Sequence, residues 1–165
     1  MRSDQAPRAP LPSAHGMHVA IVVSRFNPDI TRALRAGAED ALRAAAAFRV
    51  DVHEVPGAFE LPLAARAAAA TRQFDAVVCL GCLVRGETPH FDYIASAVAH
   101  ALAQAALDTG VPMAFGVLTT DTLEQARARA LPDETNKGWE AAAAAVEMVH
   151  VLRKIGEQAL PPLKA

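Results

Sequence analysis

No apolar run in the 165-residue sequence is long enough to span a membrane. Charge of one sign is also lacking: 16 Lys and Arg face 18 Asp and Glu, a net charge of −2. A polyanion would find no basic excess here, so neither nucleic acid nor a membrane is an expected partner. The N-terminal residues Arg2, Asp4, Gln5 and Arg8 sit among prolines, without the hydrophobic core of a signal peptide. A cytoplasmic protein is the expectation. Cysteine is scarce, with Cys79 and Cys82 in the run Cys-Leu-Gly-Cys. A zinc site would want a second pair. The run continues the apolar stretch that starts at Ala76, which reads as a strand, whereas redox pairs sit where a helix begins. Residues three apart on a strand face opposite sides about 10 Å apart, too far for a disulfide. The two cysteines therefore read as buried small residues. The dinucleotide fingerprint and the P-loop spacing are missing, as are a serine–histidine–acid order and paired carboxylates. His15, His18, His53, His100 and His150 show no metal-ligand spacing. Chemistry here has to run on one acid–base histidine, anion binding and positioning.

What is present is a 52% hydrophobic, 21% charged chain of single-domain length, the profile of a globular protein. Much of the apolar content is alanine, in runs at 44–47, 67–70 and 141–145. Alanine favours helix but buries little surface per residue, so the core leans toward help from partner subunits.

Residues 1–16 read as a mobile arm, 17–156 as the domain and 157–165 as a tail, with Pro161-Pro162 ending order. Strands are expected at 17–24, 49–55, 74–81 and 111–118, from short β-branched or apolar runs bounded by turn residues. Helices are expected at 28–47, where Ile30, Leu34, Ala38, Ala41 and Leu42 recur at three and four, then at 60–72, 88–109, 121–130 and 137–155. Thr88 suits an N-cap and Pro89 a first turn. Thr119-Thr120-Asp121 suits the cap of the fourth helix. Continuously apolar strands alternating with helices predict a four-stranded parallel sheet covered on both faces. Right-handed crossovers make this a flavodoxin-like three-layer α/β/α sandwich.

In such sheets ligands bind beyond the carboxyl ends of the strands. Four segments fall there: 25–27, 56–60, 83–90 and 119–120. Phe26 is either a core residue or a flat platform for a planar ring. Glu60, at a helix start, suits the helix dipole or sugar hydroxyls. In Arg85-Gly86-Glu87-Thr88-Pro89-His90, Gly86 permits unusual backbone angles. The N–H groups near Glu87 and Thr88 form an anion site at a helix start, with the Glu87 side chain directed away. His90 lies in the first turn, and histidine is the commonest acid–base group; position alone leaves packing and catalysis both open. Arg127, Arg129 and Lys137 are either solvated dipole partners or phosphate ligands.

Five runs in order resemble the lumazine synthase family. They are residues 23–27 (VSRFN), 55–62 (VPGAFELP), 81–93 (GCLVRGETPHFDY), 116–120 (GVLTT) with Glu124-Gln125-Ala126, and Asn136-Lys137-Gly138. The resemblance implies condensation of 5-amino-6-(D-ribitylamino)uracil with 3,4-dihydroxy-2-butanone 4-phosphate to 6,7-dimethyl-8-ribityllumazine, the penultimate step of riboflavin biosynthesis. It implies no metal and no organic cofactor. Phe26 would stack on the pyrimidine. Ala58, Phe59 and Glu60 would bind ring and ribityl chain. Cys82, Leu83 and Val84 would present backbone groups, Glu87 and Thr88 would offer N–H groups to phosphate, and His90 would shuttle protons.

A neighbouring copy would complete the site with Phe115 and a phosphate arginine, which the register sets at Arg129 rather than Arg127; Lys137 would be accessory. Phosphate or sulfate could occupy the anion site. A homopentamer is the minimum assembly, and some members of the family build sixty-subunit shells. Residues 131–135 replace a loop that often holds glycine in the family, the stretch 44–49 is short, and Glu87 stands where a small residue is common. Two rivals are a non-catalytic flavin-binding or shell-forming relative and an FMN-binding carrier. The carrier would need a Ser/Thr-rich turn after the first strand, where Arg25-Phe26-Asn27-Pro28 stands.

Overall fold

The computed structural model describes residues 10–133 and 135–158. Strands β1 (His18–Ser24), β2 (Arg49–Val55), β3 (Ala76–Val84) and β4 (Met113–Thr120) form one parallel sheet in the order β2-β1-β3-β4. Helices α1 (Pro28–Ala44) and α5 (Lys137–Glu157) pack on each other and on one face. Helices α2 (Leu61–Ala70) and α3 (His90–Thr109) cover the other, and the short α4 (Leu123–Arg127) follows β4. The three-layer sandwich expected from the sequence is the one observed. No helix among the described residues is long and apolar enough to cross a membrane.

Strand alternation divides the core in two. Val19, Ile21 and Val23 join Leu34, Leu42 and Val146 beneath α1 and α5, while Ala20 and Val22 join Leu61, Val98 and Leu102 beneath α2 and α3. The cysteines obey the same alternation, with Cys82 in the first cluster and Cys79 in the second, both as free thiols. Burial alone pushes the Cys79 thiol up to about 12 and the Cys82 thiol up to about 11.

Several element ends differ from the sequence expectation. Helix α1 stops at Ala44, because Ala46 turns left-handed (φ 58°) and the Ala47 N–H reaches back to the Leu42 carbonyl at 3.0 Å. This is a Schellman closure with alanine where glycine is usual. The turn before α2 is a separate 3-10 segment, Ala58–Glu60. Strand β3 extends to Val84 and β4 to Thr120, so Thr119 and Thr120 are strand residues and not caps. The α4 cap is Thr122, whose hydroxyl accepts from the Gln125 N–H at 3.2 Å. The Gln125 side chain returns the bond to the Asp121 N–H at 3.0 Å, close to a capping box. Helix α4 is one short turn rather than a helix to Ala130.

Residues 1–9 and 159–165 of the expected arm and tail lie outside the described residues. The rest of the expected arm lies against the domain. Ala14 is buried and donates its N–H to the Ala45 carbonyl at 2.7 Å, and the Ser13 carbonyl meets His150 Nε2 at 2.6 Å.

Candidate active site

With strand order β2-β1-β3-β4, the chain leaves β1 toward one face of the sheet and leaves β3 toward the other. Between those exits a crevice opens beyond the carboxyl strand ends. A cavity of about 440 Å³ occupies this place, within the range of small-molecule sites. Three strand exits wall it. Phe26 and Asn27 follow β1. Gly57, Ala58, Phe59 and Glu60 follow β2. Cys82, Leu83, Val84, Gly86, Thr88 and His90 end β3 and lead into α3, whose Phe91 and Ile94 close the far side.

The aromatic rings at its mouth are unusual. Phe26 is 68% and Phe59 59% exposed. Phe26 is exposed because Asn27 takes a left-handed conformation (φ 56°) before Pro28, which swings the chain out of the sheet. Asn tolerates that conformation better than most residues, and its Nδ2 donates to the Cys82 carbonyl at 3.0 Å, tying the β1 exit to β3. Glu60 curls back over the backbone of Gly57, where an added Cβ would stand 3.0 Å from Oε2.

The β3–α3 connection is anchored at its start by the Arg85 N–H on the Thr120 carbonyl, 2.9 Å. Residues 86–88 then make no hydrogen bond to the rest of the described chain, from backbone or side chain. Helix α3 starts one residue later than expected: Pro89 is its cap, Thr88 gives no capping bond, and His90 is the first helical residue. The reason is the Pro89 carbonyl, which accepts from the Asp92 and Tyr93 N–H groups at 3.1 and 3.5 Å. Gly86 does not use a left-handed conformation, and an added Cβ would meet nothing within 4 Å. Its value at this point is open space beside the cavity. Glu87 is exposed and does not line the cavity.

Phe115, Arg129 and Lys137 lie elsewhere, together. They line a second concavity of about 370 Å³ along β4 and the start of α5. The two concavities share no residue, so His90 and Arg129 of one copy face different spaces. Phe115 is 46% exposed on this edge strand. Arg129 Nη1 donates to the Gln125 carbonyl at 2.9 Å, and Lys137 Nζ pairs with Glu140 at 2.6 Å. Arg127 faces away, 3.9 Å from Glu124, and does not line this concavity.

Sequence reading missed Asn27, Phe91, Ile94 and Asn136. Asn27 before Pro28 carried a usable signal, a residue tolerant of the left-handed region just ahead of a helix start. Phe91 and Ile94 are one helical turn apart and look like packing. Asn136 is 1% exposed and bonds four backbone groups: its Oδ1 accepts from Gly138 and Trp139, and its Nδ2 donates to Ala33 and Leu131. The contact to Ala33 spans 103 residues and is invisible to local pattern.

A doubly wound sandwich with an aromatic-rimmed crevice, free backbone N–H groups and a histidine at a helix start defines a class. That class is the α/β proteins with a crevice of small-molecule size beyond the strand ends. The family model described as 6,7-dimethyl-8-ribityllumazine synthase matches residues 16–153. A 6,7-dimethyl-8-ribityllumazine synthase of Syntrophus aciditrophicus (strain SB) is 55% identical over 144 residues, covering 86% of this chain and 94% of that protein. The chain belongs to the 6,7-dimethyl-8-ribityllumazine synthase family, and it is an enzyme of riboflavin biosynthesis, a transferase.

Proposed function

We propose that the crevice beyond β1 and β3 is half of the reaction site, and that the Arg129 concavity of a second copy supplies the other half. The joined site condenses 5-amino-6-(D-ribitylamino)uracil with 3,4-dihydroxy-2-butanone 4-phosphate. The observation that carries this reading is the division of the expected machinery between two concavities with no residue in common. Exposed Phe26, Phe59 and Phe115 support it, since aromatic faces left in water mark surfaces that a ligand or partner covers. A head-to-tail contact between copies closes into a ring where the rotation between neighbours closes, and a homopentamer working in the cytoplasm is the assembly this reading adopts.

In this reading Phe26 stacks on the pyrimidine. Ala58, Phe59 and Glu60 hold the ribityl chain and ring edge. The backbone of Cys82, Leu83 and Val84 meets the pyrimidine. The unpaired N–H groups of Glu87 and Thr88 take phosphate oxygens, as donors at a helix start do. Arg129 grips the same phosphate from the second copy, aided by Lys137, and Phe115 closes the aromatic rim.

The steps balance on these groups. The pyrimidine amine adds to the ketone, and water leaves to give an imine. A carbon-bound proton is removed and inorganic phosphate departs from the four-carbon chain. Loss of phosphate leaves an enol, which tautomerises to a new ketone; the ribityl-bearing nitrogen closes on that carbonyl, and a second water leaves. His90 receives and returns the protons. Arg129 and the N–H groups stabilise the departing phosphate, and holding both reactants together lowers the entropic barrier.

The register is tested by paired variants assayed from lumazine absorbance. Arg129→Ala is expected to lose about 100-fold in kcat/KM, the scale of a lost electrostatic donor, while Arg127→Ala stays near wild type. Equal losses would contradict the assignment of Arg129.

A further inference from the structure

Besides the Arg85 N–H on the Thr120 carbonyl, the loop that carries the free N–H groups is fastened, among the described residues, by a side chain outside the cavity. Arg85 stands at the end of β3. Its Nη1 and Nη2 donate to Asp92 Oδ2 and Oδ1, each at 2.9 Å, and its Nε donates to Asp121 Oδ1 at 3.0 Å. The guanidinium carbon also lies 4.3 Å from the centroid of the Phe91 ring, within cation–π range. Three elements therefore meet on one planar cation: the end of β3, the first turn of α3 through Phe91 and Asp92, and the residue after β4. His90 is the neighbour of Phe91, and its imidazole has no hydrogen bond of its own among the described residues. A histidine whose ring is held by no partner is aimed by the backbone that carries it. Here that backbone is the helix turn gripped by Arg85.

We infer that Arg85 is a positioning residue for His90: by clamping the first turn of α3 to the end of β4, it fixes where the imidazole points in the crevice. The inference rests on the reading that His90 moves protons there. The cation is partly exposed, so its pairs with single carboxylates would be worth little as general stability. A planar fork locked on two carboxylates and a ring is instead a geometric device, which lysine cannot reproduce because it presents a point charge. The Arg85 bond also holds the Asp92 carboxyl below the usual carboxylate range, in keeping with a clamp that stays closed near neutral pH.

The test is a double-mutant cycle on kcat. Arg85→Ala is expected to slow kcat by about 10-fold, no more than His90→Ala does, with Arg85→Lys giving no rescue. In the His90→Ala background the same change should cost less than about 2-fold, because the group it aims is gone. Asp92→Asn, which loosens the two-bond arm without changing size, should follow Arg85→Ala, and Asp121→Asn should cost less. Full multiplication of the two losses, or rescue by lysine, would overturn the inference. So would a wild-type kcat in Arg85→Ala or, if that variant fails to fold, in Asp92→Asn. His90→Ala alone turning over at the wild-type rate would instead remove the histidine reading, whatever Arg85 does.

Discussion

Replacing Asn136 with alanine removes four hydrogen bonds from a side chain that is almost fully buried. Two of them cap α5, at 2.8 and 3.3 Å from the Gly138 and Trp139 N–H groups, and losing an N-cap costs about 0.5–2 kcal/mol. The other two tie α5 to the Ala33 and Leu131 carbonyls at 3.1 and 3.0 Å, each worth about 0.5–1.5 kcal/mol net. The surroundings are built around this amide. A Cβ on Gly37 would collide with its oxygen, and one on Gly138 would collide with the Leu34 backbone. Little can move in to replace it.

A loss of about 2–4 kcal/mol follows, which for a chain of this size lowers Tm by roughly 5–15 °C. The measurement is thermal and urea unfolding at one fixed protein concentration, since assembly shifts apparent stability. Asn136→Asp keeps the cap acceptor but turns a carboxylate oxygen on the two carbonyls, so it should also be destabilised. The Lys137 N–H donates to the Arg129 carbonyl at 2.9 Å, so both variants should raise KM for the sugar phosphate as the second concavity loosens. A loss below about 1 kcal/mol in the alanine variant, or a wild-type Asn136→Asp, would refute the reasoning.

Ser24 is 1% exposed and its hydroxyl finds no partner among the described residues. An unsatisfied buried hydroxyl costs about 1–3 kcal/mol, so Ser24→Ala should raise the urea midpoint, and a lower midpoint would mean the hydroxyl has an unseen partner. Both thiols are raised by burial, to about 12 for Cys79 and about 11 for Cys82. In the native protein at pH 8 a thiol reagent should label neither, and should label both in urea. A raised thiol supports folding below its unfolded value and loses that support as pH climbs through the folded one. Stability should therefore fall between about pH 9 and 12, and less so in a Cys79→Ala variant; a flat profile there would count against the burial argument.

Patterns that repeat locally carried the fold. Continuous apolar runs at β1 and β3 announced a sheet covered on both faces, and the alternation of those strands correctly separated Cys79 from Cys82. Ends of elements were less legible. Ala46 closes α1 in a conformation that the sequence usually marks with glycine, and the Pro89 carbonyl took the capping role expected of Thr88. The crevice was readable where residues follow strand ends, as with Phe26 and Glu60. It was unreadable where a role depends on contacts far along the chain: Asn27 on Cys82, Asn136 on Ala33, Arg85 on Asp121. Arg129 became distinguishable from Arg127 through the family register, and the geometry separates them because only Arg129 shares a concavity with Lys137.

The division of the site between copies is tested most directly by mixing two crippled chains. His90→Ala and Arg129→Ala, unfolded together in equal amounts and refolded, would assemble at random. In a ring of head-to-tail contacts about a quarter of the junctions then receive both native residues, so activity should rise well above either parent refolded alone, toward a quarter of wild type. Activity no higher than the mean of the two parents would contradict a site shared between copies.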